Sequence, residues 1–372
     1  NMQKKTQEIL DELVEKKLIT KEEDLTAGAK TNLIFDYMIQ NHAYLLGNDI
    51  DTVLPESMFK KGNTFHKLII KYGPLFLKNP QIIENRYTLI KDDDKVFPNR
   101  SRASLKEEVK LPEEPTIFIA NHHFKDDVLA TLLAAKRRAF ILFGSLPQFY
   151  GTVDGILALE NGVALVDRKV HESKHASVPK GRYILDHGMD LIIFPEAVWN
   201  KKPSGQMLDF YSGFYRTAKK EDGSFSPVVP MVHYIKNTHK KGKDNPIHTI
   251  IDDPVYFEGK DYKQEIEMIR ETMLTWQYKL MEKYGQTTRK ELLDGYSNPT
   301  EAWEDELRKR VATADKYDIE IETSADKTNP LDPLSVWEPI ANVEITPQNA
   351  SNIVEAKKLV KELKTNDFQH RF

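Results

Sequence analysis

The pattern of apolar and polar residues changes along the chain near Pro115. Up to about residue 90, apolar residues recur at helical spacing, as Ile9, Leu10, Leu13 and Val14 do. This period predicts amphipathic helices. Beyond Pro115, short apolar runs alternate with helical stretches. Such an alternation predicts an α/β domain whose strands are largely buried.

Five short runs rich in β-branched residues are predicted to be strands. They are residues 116–120, 139–143, 163–166, 191–194 and 228–232. Helices are predicted at residues 128–136, 174–187, 211–220, 262–284 and 353–363. We therefore expect an α/β fold with a mostly parallel sheet flanked by helices. The expected organisation is a helical N-terminal module at 2–100, a catalytic domain at 101–260 and a helical C-terminal extension at 261–372.

Composition and charge exclude several classes of protein. The 372 residues carry 53 Lys and Arg against 57 Asp and Glu, a net charge of −4, whereas a nucleic-acid binder normally shows a basic excess. The absence of cysteine removes a thiol nucleophile, disulfides and cysteine-ligated zinc. There is no apolar run of about 18 residues, and no signal peptide is recognisable. We expect a cytoplasmic protein, with a peripheral position on a membrane left open.

The first candidate for chemistry follows the strand predicted at 116–120. There the sequence reads Asn-His-His-Phe-Lys-Asp-Asp, from Asn121 to Asp127. Active sites of open α/β sheets lie at the carboxyl ends of strands. His122 is the candidate general base, with Asp127 to orient it. A surface histidine beside a helix-capping aspartate is the alternative, because an acid favours a helix N-terminus whatever its function.

Two further predicted strands end in charged residues. Gly162 opens the run that ends in Asp167 and Arg168, and a later run ends in Phe-Pro-Glu at Glu196. An arginine presents a planar fork of donors that suits a phosphate. Because parallel strands bring their carboxyl ends to one edge, we expect these residues to lie near His122.

The order of these segments resembles the four sequence blocks of the glycerolipid O-acyltransferase superfamily, which includes lysophosphatidate and glycerol-3-phosphate acyltransferases. Asn121, His122 and Asp127 match its first block, Asn-His-X4-Asp. His123 lacks an acid at the matching distance. Gly162 and Arg168, together with Asp167, match the second block.

The third and fourth blocks are matched unequally. Phe194, Pro195 and Glu196 match the start of Phe-Pro-Glu-Gly-Thr-Arg, but residues 197–199 read Ala-Val-Trp where Gly, Thr and Arg are expected. The fourth block, an apolar pair followed by proline, is matched by residues 228–230. The departure leaves the identity of the acceptor in question more than the type of reaction.

The resemblance implies transfer of a fatty acyl group from acyl-CoA or an acyl-carrier protein to a hydroxyl of a glycerol phosphate or a lysophospholipid. His122 would be the base and Asp127 its partner, with no metal and no cofactor. The substrate-binding residues would be Asn121, Gly162, Arg168, Glu196 and Lys201. Lys201 would partly replace the arginine missing from the third block. A membrane surface is a further partner to consider.

Two other functions remain open at this stage. In a metal-dependent hydrolase, His122, His123, Asp126 and Asp127 would be the ligands, although adjacent residues on one short turn cannot all face one ion. In a lipid-binding scaffold of the same fold, catalysis would have been lost, which the altered third block motivates.

Overall fold

The computed structural model describes residues 2–19, 25, 32–90, 97, 100–197, 207–237, 240–286, 341–347 and 349–365. Its helices are α1 (Met2–Glu15), α2 (Asn32–His42), α3 (Ile50–Val53), α4 (Glu56–Tyr72), α5 (Arg86–Ile90), α6 (Arg102–Lys106), α7 (Asp127–Ala135), α8 (Leu146–Gly151), α9 (Val153–Asn161), α10 (His171–Asp186), α11 (Gly213–Ala218), α12 (Tyr262–Tyr284) and α13 (Ala350–Thr365). Short 3-10 turns follow α2 and α4, at Ala43–Leu46 and Gly73–Leu75.

A seven-stranded sheet forms the centre of the fold. Its strands are β1 (Gln81–Ile83), β2 (Ile117–Ala120), β3 (Ala139–Phe143), β4 (Val163–Leu165), β5 (Asp190–Ile193), β6 (Val228–Tyr234) and β7 (Ile247–Ile251). Their order across the sheet is β1-β7-β6-β2-β5-β3-β4, and every neighbouring pair is parallel except β6 with β7. The prediction of an α/β fold with a mostly parallel sheet flanked by helices is confirmed.

Both faces of the sheet are buried, as the continuous apolar strands require. In β2, Phe118 and Ala120 face α1, α2 and α7, while Ile117 and Ile119 face the side covered by α10, α11 and α12. All four of these β2 side chains are fully buried. Successive residues of a strand point to opposite faces, so one short run supplies both cores.

Two strands were not predicted. β1 lies within residues 2–100, which we expected to be helical, and pairs with β7 at the edge of the sheet. β1 has only three residues, between Pro80 and Glu84, and is too short to show the alternation of apolar and polar residues that marks a strand. β7 places His248 and Thr249 within its apolar run, so its sequence did not stand out as a buried strand. The domain boundaries at 100 and 260 stay predictions, although the sheet takes β1 from the first region.

α12 covers one face of the sheet, with the bounds that its sequence period predicts. Trp276 of this helix is fully buried, and its indole N–H donates to Asp252 Oδ2 at 2.8 Å. Arg86 and Arg100 form ion pairs with the same carboxylate. A buried charge is tolerated only when it is paired. Through Asp252, which follows β7, these contacts therefore tie α12 to the two segments before β2 that carry Arg86 and Arg100.

Gly162 ends α9 and begins the turn into β4. Its φ is +117°, and a Cβ atom there would lie 2.5 Å from the Phe140 ring. Its N–H donates to Ala158 and Leu159, and its carbonyl accepts from the N–H of Ile141. These contacts give Gly162 a packing role, and its expected substrate contact stays a prediction.

We predict that Gly162→Ala lowers the free energy of unfolding by about 3 kcal/mol, through left-handed strain plus overpacking against Phe140. Gly188→Ala is the matched control, since Gly188 has a φ of +81° and open space around its Cβ position. Strain alone should cost the control about 1 kcal/mol. Urea denaturation measures the free energy of unfolding of both variants. Equal losses in the two would show that overpacking against Phe140 adds nothing to the cost of strain.

Candidate active site

The loop between β2 and α7 carries the first candidate residues. The His122 ring donates through Nδ1 to Asp127 Oδ2 at 2.7 Å, and the same oxygen accepts the backbone N–H of His123 at 3.1 Å. Asp127 is fully buried, whereas 18% of the His122 side chain is exposed. Asp127 is also the first residue of α7, where the helix dipole favours its negative charge. A histidine held in this way has a fixed tautomer and orientation.

Phe194 and Glu196, which follow β5, hold His122 from the other side. The rings of Phe194 and His122 are stacked, with centroids 4.3 Å apart. Glu196 is 1% exposed and accepts two backbone N–H groups at 2.8 Å, those of His122 and Leu208. Burial raises the pKa of Glu196 to about 8, against the opposing effect of these hydrogen bonds. Glu196 thus holds the His122 backbone, and the substrate contact that we expected of it stays a prediction.

Arg168, after β4, meets the same segment. Its Nε donates to the carbonyl of Gly144, and its Nη1 donates to the carbonyl of Ala197, both at 3.2 Å. A Cβ on Gly144 would lie 2.9 Å from the arginine side chain, so the close approach depends on that glycine. The guanidinium therefore links the ends of β3, β4 and β5 near the residues that hold His122.

Ala197 stands where the third block has glycine. Its φ is +63°, in the left-handed region that non-glycine residues rarely adopt. The Cβ atom of Ala197 adds strain in this conformation that a glycine would not have. Residues 198–206, which include Trp199 and the predicted substrate contact Lys201, lie outside the described residues.

Asn121 is turned into the protein. Its Nδ2 donates to the carbonyl of His233, and its Oδ1 accepts the N–H of His233, both at 2.8 Å. The side chain is 1% exposed and therefore joins the end of β2 to β6 as a strand neighbour does. Both polar atoms of the amide are thus bonded to backbone, and the expected substrate contact of Asn121 stays a prediction.

A chain of buried hydrogen bonds behind the site was not predicted. Gln81 Nε2 donates to Thr249 Oγ1 at 2.9 Å, and Thr131 Oγ1 donates to the carbonyl of Asp127 at 2.7 Å. Between the two hydroxyls lies His233, with Nδ1 2.8 Å from Thr249 Oγ1 and Nε2 2.8 Å from Thr131 Oγ1. The chain joins β1, β7, β6 and the first turn of α7.

The direction of this chain follows from hydrogen counts. The hydroxyl group of Thr131 donates its one hydrogen to the carbonyl of Asp127. The Thr131 oxygen therefore accepts the hydrogen bond from His233 Nε2–H. Burial lowers the pKa of His233 to about 4, which keeps the ring neutral and leaves Nδ1 to accept from Thr249. The sequence signal that could have indicated this chain is a polar residue within an apolar run, such as His233 in β6 or Thr249 in β7. Buried polar groups need hydrogen-bond partners.

The ligand set proposed for a metal-dependent hydrolase does not converge. Asp126 Oδ2 accepts the backbone N–H of Lys78 at 3.1 Å, and His123 Nδ1 lies 3.1 Å from Asn121 Nδ2. His122 and Asp127 are bonded to each other. Among the residues that the structure describes, no group of three or more His, Asp or Glu side chains is arranged to hold a metal ion.

Together these features define a class of site. A histidine steered by a buried carboxylate lies at the carboxyl ends of the parallel strands, with an arginine three strands away in the sheet, as in an enzyme that activates a hydroxyl by general-base catalysis.

One comparison with known proteins finds a related family. Residues 102–234 of the 372 match the family model described as Acyltransferase, and this segment contains every predicted site residue. The match supports an acyltransferase as the class of protein.

Other comparisons add less. No curated protein matches the sequence. Among solved structures, the chain is similar to the 1-acyl-sn-glycerophosphate (LPA) acyltransferase PlsC from Thermotoga maritima, with 18% identity over 72% of this chain and 100% of that one. The TM-score is 0.38, so this likeness carries no argument about the site.

We predict that Thr131→Val lowers the free energy of unfolding by about 2 kcal/mol, because it leaves His233 Nε2–H without a partner in the interior. Thr275→Val is the control: its hydroxyl makes the same bond to the carbonyl four residues back, on the exposed side of α12. The control should change stability by less than about 0.5 kcal/mol. Equal effects in urea denaturation would contradict a supporting role for the buried chain.

Proposed function

We propose that the protein transfers a fatty acyl group from an acyl thioester to a hydroxyl of a phosphorylated glycerol or lysophospholipid acceptor. The donor would be acyl-CoA or an acyl-carrier protein. The observation that carries this proposal is the His122–Asp127 pair, 2.7 Å apart, within a domain of the acyltransferase family. The proposed reaction uses no cofactor.

The proposed step begins at His122 Nε2. With its Nδ1–H donated to Asp127, the neutral ring carries its lone pair on Nε2, which makes Nε2 the basic nitrogen. Nε2 takes the proton of the acceptor hydroxyl as its oxygen bonds to the thioester carbonyl carbon. The tetrahedral intermediate then collapses, the carbon–sulfur bond breaks, and the thiolate takes the proton from the imidazolium. The products are an ester and a free thiol.

Asp127 would stabilise the imidazolium that forms during this step. Its burial makes the charge interaction stronger than it would be in water. The acceptor itself attacks, so no acyl-enzyme is needed, and the absence of cysteine from the sequence is consistent with that route.

Arg168 is the proposed anchor for the acceptor phosphate. Two of its N–H groups already donate to the carbonyls of Gly144 and Ala197, which fixes the plane of the guanidinium. A fixed fork loses little entropy when it binds an anion. Lys201 is retained as a further proposed contact.

The proposed location is the cytoplasm, with peripheral attachment to a membrane that supplies the lipid. No helix in the described part of the chain is both long and apolar enough to cross a bilayer. A catalytically inactive lipid-binding protein is the second candidate, since the third block has lost its glycine. Release of thiol from palmitoyl-CoA, measured with glycerol 3-phosphate and lysophosphatidate as acceptors, separates the two.

We predict that His122→Ala lowers kcat at least about a hundredfold, the usual contribution of a general base. The neighbouring His123→Ala variant keeps the backbone N–H that Asp127 accepts and should lose less than about tenfold. Thiol release at saturating donor and acceptor measures both, with thermal melting to confirm that each variant is folded. Turnover at the wild-type rate in His122→Ala would falsify the assignment of the base.

We predict that Arg168→Ala raises KM for a phosphorylated acceptor by about tenfold or more while KM for the acyl donor stays near the wild-type value. Arg168→Lys keeps the charge without the planar fork of donors, so its acceptor KM should lie between those of the wild type and Arg168→Ala. Initial rates with each substrate varied in turn supply the constants. An acceptor KM that does not change in a folded Arg168→Ala variant would assign the arginine to structure alone.

A further inference from the structure

The end of α4 and the turn after it expose an unusual amount of apolar surface. Leu75 and Phe76 are 79% and 73% exposed, and on the last two turns of α4 Leu68 and Tyr72 are 49% and 44% exposed. Their spacing, four and then three residues, places Leu68, Tyr72 and Leu75 along one side of the helix and its extension. We call these four residues the apolar ridge.

The segment of sequence that carries the ridge has charged residues of one sign. Between Glu56 and Glu84 the sequence contains no Asp or Glu, although the whole chain carries a net charge of −4. Its charged residues there are Lys60, Lys61, Lys67, Lys71 and Lys78. Lys67 and Lys71 each precede a ridge residue, and both side chains are exposed. The Lys71 ammonium lies 5.1 Å from the centre of the Tyr72 ring.

The ridge is attached to the active-site loop. Leu77 packs against a buried cluster that includes Phe124, a residue of that loop, and the Lys78 N–H donates to Asp126, next to Asp127. Gly73 lies so close to α7 that a Cβ atom there would come within 2.9 Å of Leu133. Because these contacts fix the turn against α7, whatever binds the ridge is held beside the site.

We infer that the apolar ridge inserts into the surface of an anionic lipid bilayer, with the flanking lysines on the headgroups. Exposed apolar side chains bordered by lysines are the pattern of interfacial membrane binding, in which apolar burial and attraction to acidic lipids add. A second copy of this chain would bring the same lysines together, which disfavours self-association. The inference deepens the proposed function, because it names the surface that would supply a lipid acceptor.

Vesicle binding by the full chain tests this inference without any turnover. Wild-type protein should co-sediment with vesicles that contain about 30% phosphatidylglycerol, bind phosphatidylcholine vesicles more weakly, and be released by salt. Leu75→Ser with Phe76→Ser should lower the partition coefficient at least about tenfold on both vesicles, because apolar area is lost. Lys67→Gln with Lys71→Gln should lower it about tenfold or more on the anionic vesicles only.

Matched controls lie elsewhere on the surface. Met268→Ser with Val354→Ser removes two apolar side chains that are 60% and 59% exposed on α12 and α13, and Lys219→Gln with Lys263→Gln removes two exposed lysines. Both controls should bind as the wild type does. Equal binding by the ridge variants and the wild type, or equal losses in the controls, would overturn the inference.

Activity assays separate this inference from the proposed function. The ridge variants should keep wild-type turnover with octanoyl-CoA and glycerol 3-phosphate, and lose it with lysophosphatidate presented in vesicles. If no acceptor supports turnover, the proposed function fails while the vesicle result stands. If the ridge variants instead abolish a concentration-dependent dimer, or slow only carrier-protein donors with vesicle binding intact, the ridge binds protein and the inference is wrong.

Discussion

The site depends on one buried carboxylate. Asp127 Oδ2 accepts both the His122 ring N–H and the His123 backbone N–H, so a single oxygen fixes the ring and the loop that carries it. The carboxylate is fully buried, and the structure gives its Oδ1 no hydrogen-bond partner among the described atoms. A charge in this position is tolerated because the dipole of α7 and the imidazole compensate for its lost hydration.

The topology explains why these residues meet. β2 and β5 are parallel neighbours at the middle of the sheet, so the residues after each strand emerge side by side. The loop after β2 supplies His122, and the segment after β5 supplies Glu196, whose carboxyl group accepts the His122 N–H. Arg168, after β4, reaches the same segment through the carbonyl of Ala197. The segments after three strands thus meet near His122, and the sheet reduces the loop entropy that these contacts cost by bringing the strand ends together.

The central strands and α12 could be predicted because their apolar runs are long or strongly periodic. The His122–Asp127 pairing could also be predicted, since the two residues lie five apart at a strand-to-helix junction. β1 could not, because a three-residue edge strand is defined by its partner β7 rather than by its own sequence. The same holds for His233, whose partners Thr131 and Thr249 lie 102 and 16 residues away. The backbone partners of the Asn121 and Glu196 side chains could not be predicted either, because His233 and His122 lie 112 and 74 residues away from them along the chain.

The altered third block can now be divided by physical role. Phe194 and Glu196, which are retained, are the residues that contact His122, one through its ring and one through its N–H. Ala197, where the family block has glycine, has a φ of +63° and presents its carbonyl to Arg168. A non-glycine residue in this strained conformation is held there by its surroundings. The half of the block that contacts His122 is therefore intact, and the departure falls on the half that the resemblance associates with the acceptor.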